Sequence, residues 1–158
     1  MTAPIDPTNP VVALCAAGMQ LEGTPEQARR CFEEAWAARR DDYDASIAAH
    51  FLARHQPTPA ATLSWNVLAL HHAQAVTDGR AAAFMASLYL NLADSYATAG
   101  ELDAAAAAAD KAAASLIALP SDGYRDFVEM GIRRLQQRLG MTGSADVPAE
   151  SLPEEPPR

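Results

Sequence analysis

At 158 residues, 49% of them hydrophobic, the chain suits one domain with its own core. A net charge of −8 and a single lysine, Lys111, exclude the clustered cations that a nucleic-acid backbone or an anionic membrane surface demands. No apolar run reaches ~18 residues and no basic-then-apolar leader opens the chain, so a soluble, cytoplasmic protein is expected.

In chain order, residues 1–8, with Pro4 and Pro7, read as a flexible lead-in. A helical domain follows over 9–140, with alanine as its dominant apolar residue. Alanine has the highest helix propensity and little bulk, so it favours helices packed closely on helices. Seven helices and no strands are predicted. The breaks fall at Gly23-Thr24-Pro25, Arg40-Asp41-Asp42, Gln56-Pro57-Thr58-Pro59, Thr77-Asp78-Gly79, Gly100 and Pro120-Ser121-Asp122-Gly123. Thr24 is placed to cap a helix with Pro25 at its first position and Gln27 closing a capping box. Thr58-Pro59 repeats that order, and Gly100 suits the left-handed residue after a helix end. The last helix, over 121–139, carries Tyr124, Phe127, Val128, Gly131, Ile132, Leu135 and Leu139 near one face. Residues 141–158, with four acids and one arginine, have too little apolar content to order themselves and are expected to be a disordered acidic tail.

The pattern repeats. Cys15, Ala16, Met19, Gly23, Ala28, Phe32 and Ala35 correspond, 33 residues on, to Ala48, Ala49, Leu52, Gln56, Ala61, Trp65 and Leu68. Shifted by 77 residues they correspond to Leu92, Ala93, Tyr96, Gly100, Ala105, Ala109 and Ala112. Positions equidistant from a turn face each other in an antiparallel pair, so Ala16 is expected opposite Phe32 and Ala49 opposite Trp65, which is assigned to the core. The second spacing is 44 residues, an excess of about three turns at ~3.6 residues each, so elongated helices are expected over 58–76 and 80–99. Ala109 stands where the other units carry an aromatic ring. The third pair should therefore pack closer or receive Tyr124 or Phe127 from the last helix.

A small then a large residue on a first helix, a Gly turn, and small–aromatic–small on a second helix resembles the tetratricopeptide pattern. It is carried best by 88–112 and by Gly23-Thr-Pro-Glu-Gln-Ala-Arg-Arg-Cys-Phe-Glu-Glu-Ala35. The stretch 48–59, followed by Ser64-Trp65-Asn66, is similar to a group of small bacterial tetratricopeptide proteins. The resemblance implies an all-α fold of about three antiparallel helix pairs stacked as a short superhelix, closed by a C-terminal capping helix. It also implies a concave groove lined by the first helix of each pair. Carried over through the matched Ala49 and Ala93, that groove holds Tyr43, Ser46, His50 and Arg54 of the second unit. From the third it holds Ser87, Leu90, Asn91, Asp94 and Thr98.

Other chemistry is weakly signalled. Cys15 and Cys31 are too few for a zinc site and fall on predicted buried faces. His50 and His55 are five apart rather than four, while His50 should face a residue near 64 and His72 one near 42, so no metal site is expected. Phosphate-binding loop, nucleophile elbow and dinucleotide fingerprint are all missing from the sequence. No catalysis and no cofactor are expected. The function expected is a protein-interaction scaffold that takes a protein or peptide in the groove. A homodimer built on the array edge and a small-molecule sensor or enzyme are the alternatives, and the acidic stretch 150–158 is a candidate internal ligand for Arg54.

Overall fold

The computed structural model describes residues 5–141, which form seven α-helices and no strands. These are α1 (Pro10–Gln20), α2 (Pro25–Ala37), α3 (Asp42–Ala53), α4 (Pro59–Ala75), α5 (Met85–Thr98), α6 (Leu102–Ser115) and α7 (Gly123–Arg138). The acidic tail expected beyond residue 141 lies outside the described residues.

Local chemistry sets most helix starts. Asn9, Asp41, Thr58 and Asp122 each accept a backbone N–H of the first turn with their side chains. Thr24 does not cap as expected, because its hydroxyl donates to the Leu21 carbonyl at 3.1 Å. Gly100 takes the left-handed conformation (φ +79°) that ends α5.

The helix expected over 80–99 is shorter at its start. Gly79, at φ +82°, turns the chain, and successive turns through residues 80–84 follow before α5 begins at Met85. Arg80 pins that segment by hydrogen bonds to Asp78 (2.7 Å) and Asp41 (2.9 Å), with its guanidinium 4.5 Å over the Tyr43 ring. Phe84 turns inward and meets Tyr43 at 6.0 Å between ring centroids. The extra length of the second unit is therefore divided between a 17-residue α4 and this anchored connection.

Consecutive helices pack as α1 on α2, α3 on α4 and α5 on α6, with α2–α3 and α4–α5 contacts joining the pairs and α7 closing the stack on α5 and α6. This is an all-α fold of stacked helix pairs. A buried carboxylate ties the first pair to the second: Asp44 on α3 accepts from the Asn9 side chain at 2.6 Å and from the Arg40 backbone and guanidinium at 3.1 Å.

In the first pair the ring of Phe32 is wholly buried, a gain of about 1.5–3 kcal/mol. Its small partner is Gly18, not Ala16. Ala16 is exposed, whereas a Cβ on Gly18 would lie 2.4 Å from Phe32 Cε1. The two helices are thus offset along their axes, by one residue at the symmetric point of the turn, relative to the Ala16–Phe32 pairing. Trp65 is only half-buried; it meets Trp36 edge-on at 5.1 Å and joins the first and second clusters of apolar side chains. Of the two cysteines, both free, Cys15 is buried and Cys31 only partly so.

The third pair is closed by alanine: Ala93, Ala105, Ala109 and Ala112 are completely buried. From α7 it receives Val128, Ile132 and Leu135 rather than an aromatic ring, while Phe127 remains 72% exposed and Tyr124 45% exposed. The packed stripe of α7 is centred on Val128, Ile132 and Leu135, and Gly131 lets the Leu90 side chain sit directly on the helix.

Gly18→Ala should destabilise the chain by about 1–3 kcal/mol, the usual cost of overpacking a filled core. Gly23→Ala, with nothing within 4 Å of its added methyl, should stay within about 0.5 kcal/mol of wild type. Urea unfolding followed by circular dichroism measures both.

Candidate functional site

Both α3 and α5 rest on α4, and between them lies a cleft of about 370 Å³. Thr62 and Asn66 of α4 form its floor. His50, Ala53 and Arg54 line the α3 side, Ser87, Leu90, Asn91, Asp94 and Ser95 the α5 side, and Phe127 and Val128 of α7 the lip. A narrower apolar pocket of about 90 Å³ adjoins it, walled by Ile47, Phe51, Phe84 and Leu88, with Ser46 and Tyr124 at its polar edges. His50 borders both spaces.

Six of the expected groove residues thus meet in one cleft: His50, Arg54, Ser87, Leu90, Asn91 and Asp94. Thr98 lines an adjoining depression with Pro57 and Pro59, which shares Thr62, Asp94 and Ser95 with the cleft. Tyr43 and Ser46 lie inside the protein, 4% and 1% exposed. Tyr43 is held between Phe84 and Arg80, and the Ser46 hydroxyl donates to the Tyr43 carbonyl at 2.8 Å. The reason is the position of α3, which is enclosed by α1, α2 and α4 so that every residue from 43 to 49 is buried.

Asn66, Ser95 and Phe127 complete the cleft and were not among the expected residues. Asn66, 4% exposed, donates its amide to Ser95 Oγ at 2.8 Å and approaches the Asn91 carbonyl at 3.4 Å. A buried amide must be satisfied in this way, since leaving it unpaired costs about 1–3 kcal/mol. The signal was available in the sequence as a lone Asn within the apolar run of α4. Its direction depended on how α4 and α5 pack.

Asn91 reaches the other way, its Nδ2 lying 3.3 Å from His50 Nδ1. Burial, helped by the neighbouring Arg54 charge, pushes the His50 imidazole down to about 4, so the ring is neutral near pH 7. A neutral ring that accepts from Asn91 at Nδ1 carries its proton on Nε2. The two formal charges of the cleft are held by exposed pairs, Arg54 with Glu22 at 3.4 Å and Asp94 with Arg138 at 2.8 Å. Exposed ion pairs contribute only about 0–1 kcal/mol, so either partner is exchangeable.

The remaining histidines lie elsewhere. His72 faces Asp42 at 2.7 Å, as the pairing of α3 and α4 requires, while His50 faces α5 rather than a residue near 64. Among the described residues no group of three or more His, Cys, Asp or Glu side chains is placed to hold a metal ion, and no helix is long and apolar enough to cross a membrane. Comparison with protein-family models, with curated proteins and with solved structures gives no match.

The depressed His50 pKa sets a pH dependence. Between about pH 6.5 and pH 4 the unfolded chain binds a proton at this residue and the folded chain does not, so this contribution to stability is present above pH 6.5 and lost as pH falls towards 4. Urea midpoints measured between pH 7 and about pH 4.5, above most carboxylate titration, should fall for wild type and fall less steeply for His50→Gln.

Proposed function

We propose that the chain is a non-catalytic, tetratricopeptide-like interaction module that receives an extended segment of a partner protein in the cleft between α3 and α5. The observation that carries this reading is the combination of surfaces in one place. Asn91 and the neutral His50 offer hydrogen bonds matched to uncharged peptide groups, and the exposed Phe127 ring at the lip offers apolar cover. A neutral imidazole next to an amide suits a peptide carbonyl better than a free carboxylate, which calls for converging cations. Arg54 is the one cation lining the cleft and adds a preference for an acidic side chain.

The polar groups are set for binding by the residues behind them. Asn66 and Ser95 hold the floor of the cleft, and this limits the side-chain freedom lost when a ligand arrives. Leu90, seated on Gly131, keeps α7 and its Phe127 next to the α5 wall.

A second reading, self-association, is favoured by Phe127 and Met130, which leave 72% and 48% of their surface exposed one helical turn apart on the terminal helix. It separates readily from the first, since a Phe127→Glu, Met130→Glu chain would lose a dimer signal in light scattering.

Panning a displayed peptide library on the purified chain tests the main reading. Enriched peptides should bind wild type and lose at least about tenfold in affinity on an Asn91→Ala, Asp94→Ala variant that keeps wild-type circular dichroism, as expected when about 1.4 kcal/mol of contact is removed. Peptides that bind both equally would move the binding surface away from the cleft.

A further inference from the structure

The apolar pocket and the cleft have a matching sequence on the same chain. We propose that Glu150-Ser151-Leu152, in the segment that follows α7, is an internal ligand of this site, with Leu152 in the pocket beside His50 and Glu150 on Arg54. The inference rests on the reading of the cleft as a peptide site and names what regulates it.

Three features point to this occupant. The first is polarity: a small pocket walled by Ile47, Phe51, Phe84 and Leu88 suits an aliphatic side chain. Leu152 is the largest aliphatic side chain after Met141, the other branched one being Val147. The second is charge. The exposed Arg54 follows His50 by one helical turn, its Cα about 6 Å further along α3. Two residues of extended chain span about 6.6 Å, so an acid two positions from the anchored leucine reaches Arg54. Glu150 stands at that spacing from Leu152.

The third is direction and reach. Tyr124, at the start of α7, bonds Ser87 beside the pocket, and Arg138, at its end, bonds Asp94 in the far part of the cleft. The chain therefore leaves α7 at the Asp94 end, and a return towards the pocket passes Arg54 before it reaches Leu88. That order places Glu150 ahead of Leu152, as in the sequence. The return covers about 24 Å, the length of a 16-residue helix at ~1.5 Å per residue. Ten residues lie between Met141 and Leu152, and the chain from one to the other spans up to about 36 Å. A tethered ligand acts at an effective concentration on the order of millimolar, so a weak two-point contact is enough to occupy the site.

Tail binding in cis blocks the cleft to other peptides and is relieved by any partner that competes for Leu152. The test uses the full chain and a fluorescein-labelled synthetic peptide of residues 146–156. The peptide should bind a Leu152→Asp chain, whose own anchor is disabled, at least about fivefold more tightly than wild type, since a tethered competitor at millimolar effective concentration raises the apparent Kd. Affinity for Leu152→Asp should fall when Arg54→Glu is added and return with a Glu150→Lys peptide, a charge swap at an exposed position that does not depend on the core. In the same chain without the peptide, Leu152→Asp should shift the Asn91 side-chain amide in ¹H–¹⁵N spectra.

Equal peptide affinity for wild type and Leu152→Asp, or no binding to either, overturns the tail assignment. If library peptides still require Asn91 and Asp94, the peptide-site reading survives that result; if they bind without those residues or none is enriched, it falls too. Spectral shifts confined to concentrations at which light scattering detects dimers would assign the tail to a second copy and overturn the internal contact.

Discussion

Alanine at the helix contacts is the constraint on which the rest of the structure depends. Ala28 and Ala35 in the first pair, Ala48, Ala49 and Ala69 in the second, and Ala93, Ala105, Ala109 and Ala112 in the third are all completely buried. Methyl groups at these positions let helices lie close, and close helices leave little internal volume for large side chains. The few rings that are accommodated need special arrangements, as Phe32 does over Gly18. Others are displaced towards the edges, as with Trp65 against Trp36 and Phe127 at the cleft lip. The lip of the cleft is built from what this core has no room to hold.

Polar groups determine where the tightly packed helices separate. Asn66 is buried on α4 and obtains its partners from Ser95 and Asn91 on α5, which sets the register of those two helices. Asp44 does the same between α1 and α3 through Asn9. With α3 tied to the first pair and α5 tied to α4, the space between α3 and α5 is left as a cleft. Its hydrogen-bonding groups therefore belong to the same network that positions the helices, and changing Asn66 would alter both stability and the shape of the cleft floor.

The long connection between α4 and α5 shows how a local loop can act on the site. Arg80 is bonded to Asp78 and Asp41 and stacked over Tyr43, which fixes the turns that precede α5. Phe84, carried by that segment, is one wall of the apolar pocket. The elongated spacing in the repeat thus supplies a pocket residue rather than only additional helix.

Much of this was determined by the sequence alone. Helix number, the breaks at proline and glycine and the all-α class follow from short-range rules: capping, helical periodicity and the order of small and large residues across a turn. The residues expected in a groove on α3 and α5 rested instead on the resemblance to the tetratricopeptide pattern, and six of them line the cleft. The tertiary structure decided what depends on contacts between distant segments. It chose Gly18 over Ala16 under Phe32, because the offset of α1 along α2 is set by how the pair packs. It buried Tyr43 and Ser46, because α3 is enclosed by three other helices. It turned Phe127 outward and brought Asn66 under the cleft, because the rotation of a helix about its axis is set by the neighbours against which it packs, and periodicity alone defines a face without saying what that face will meet.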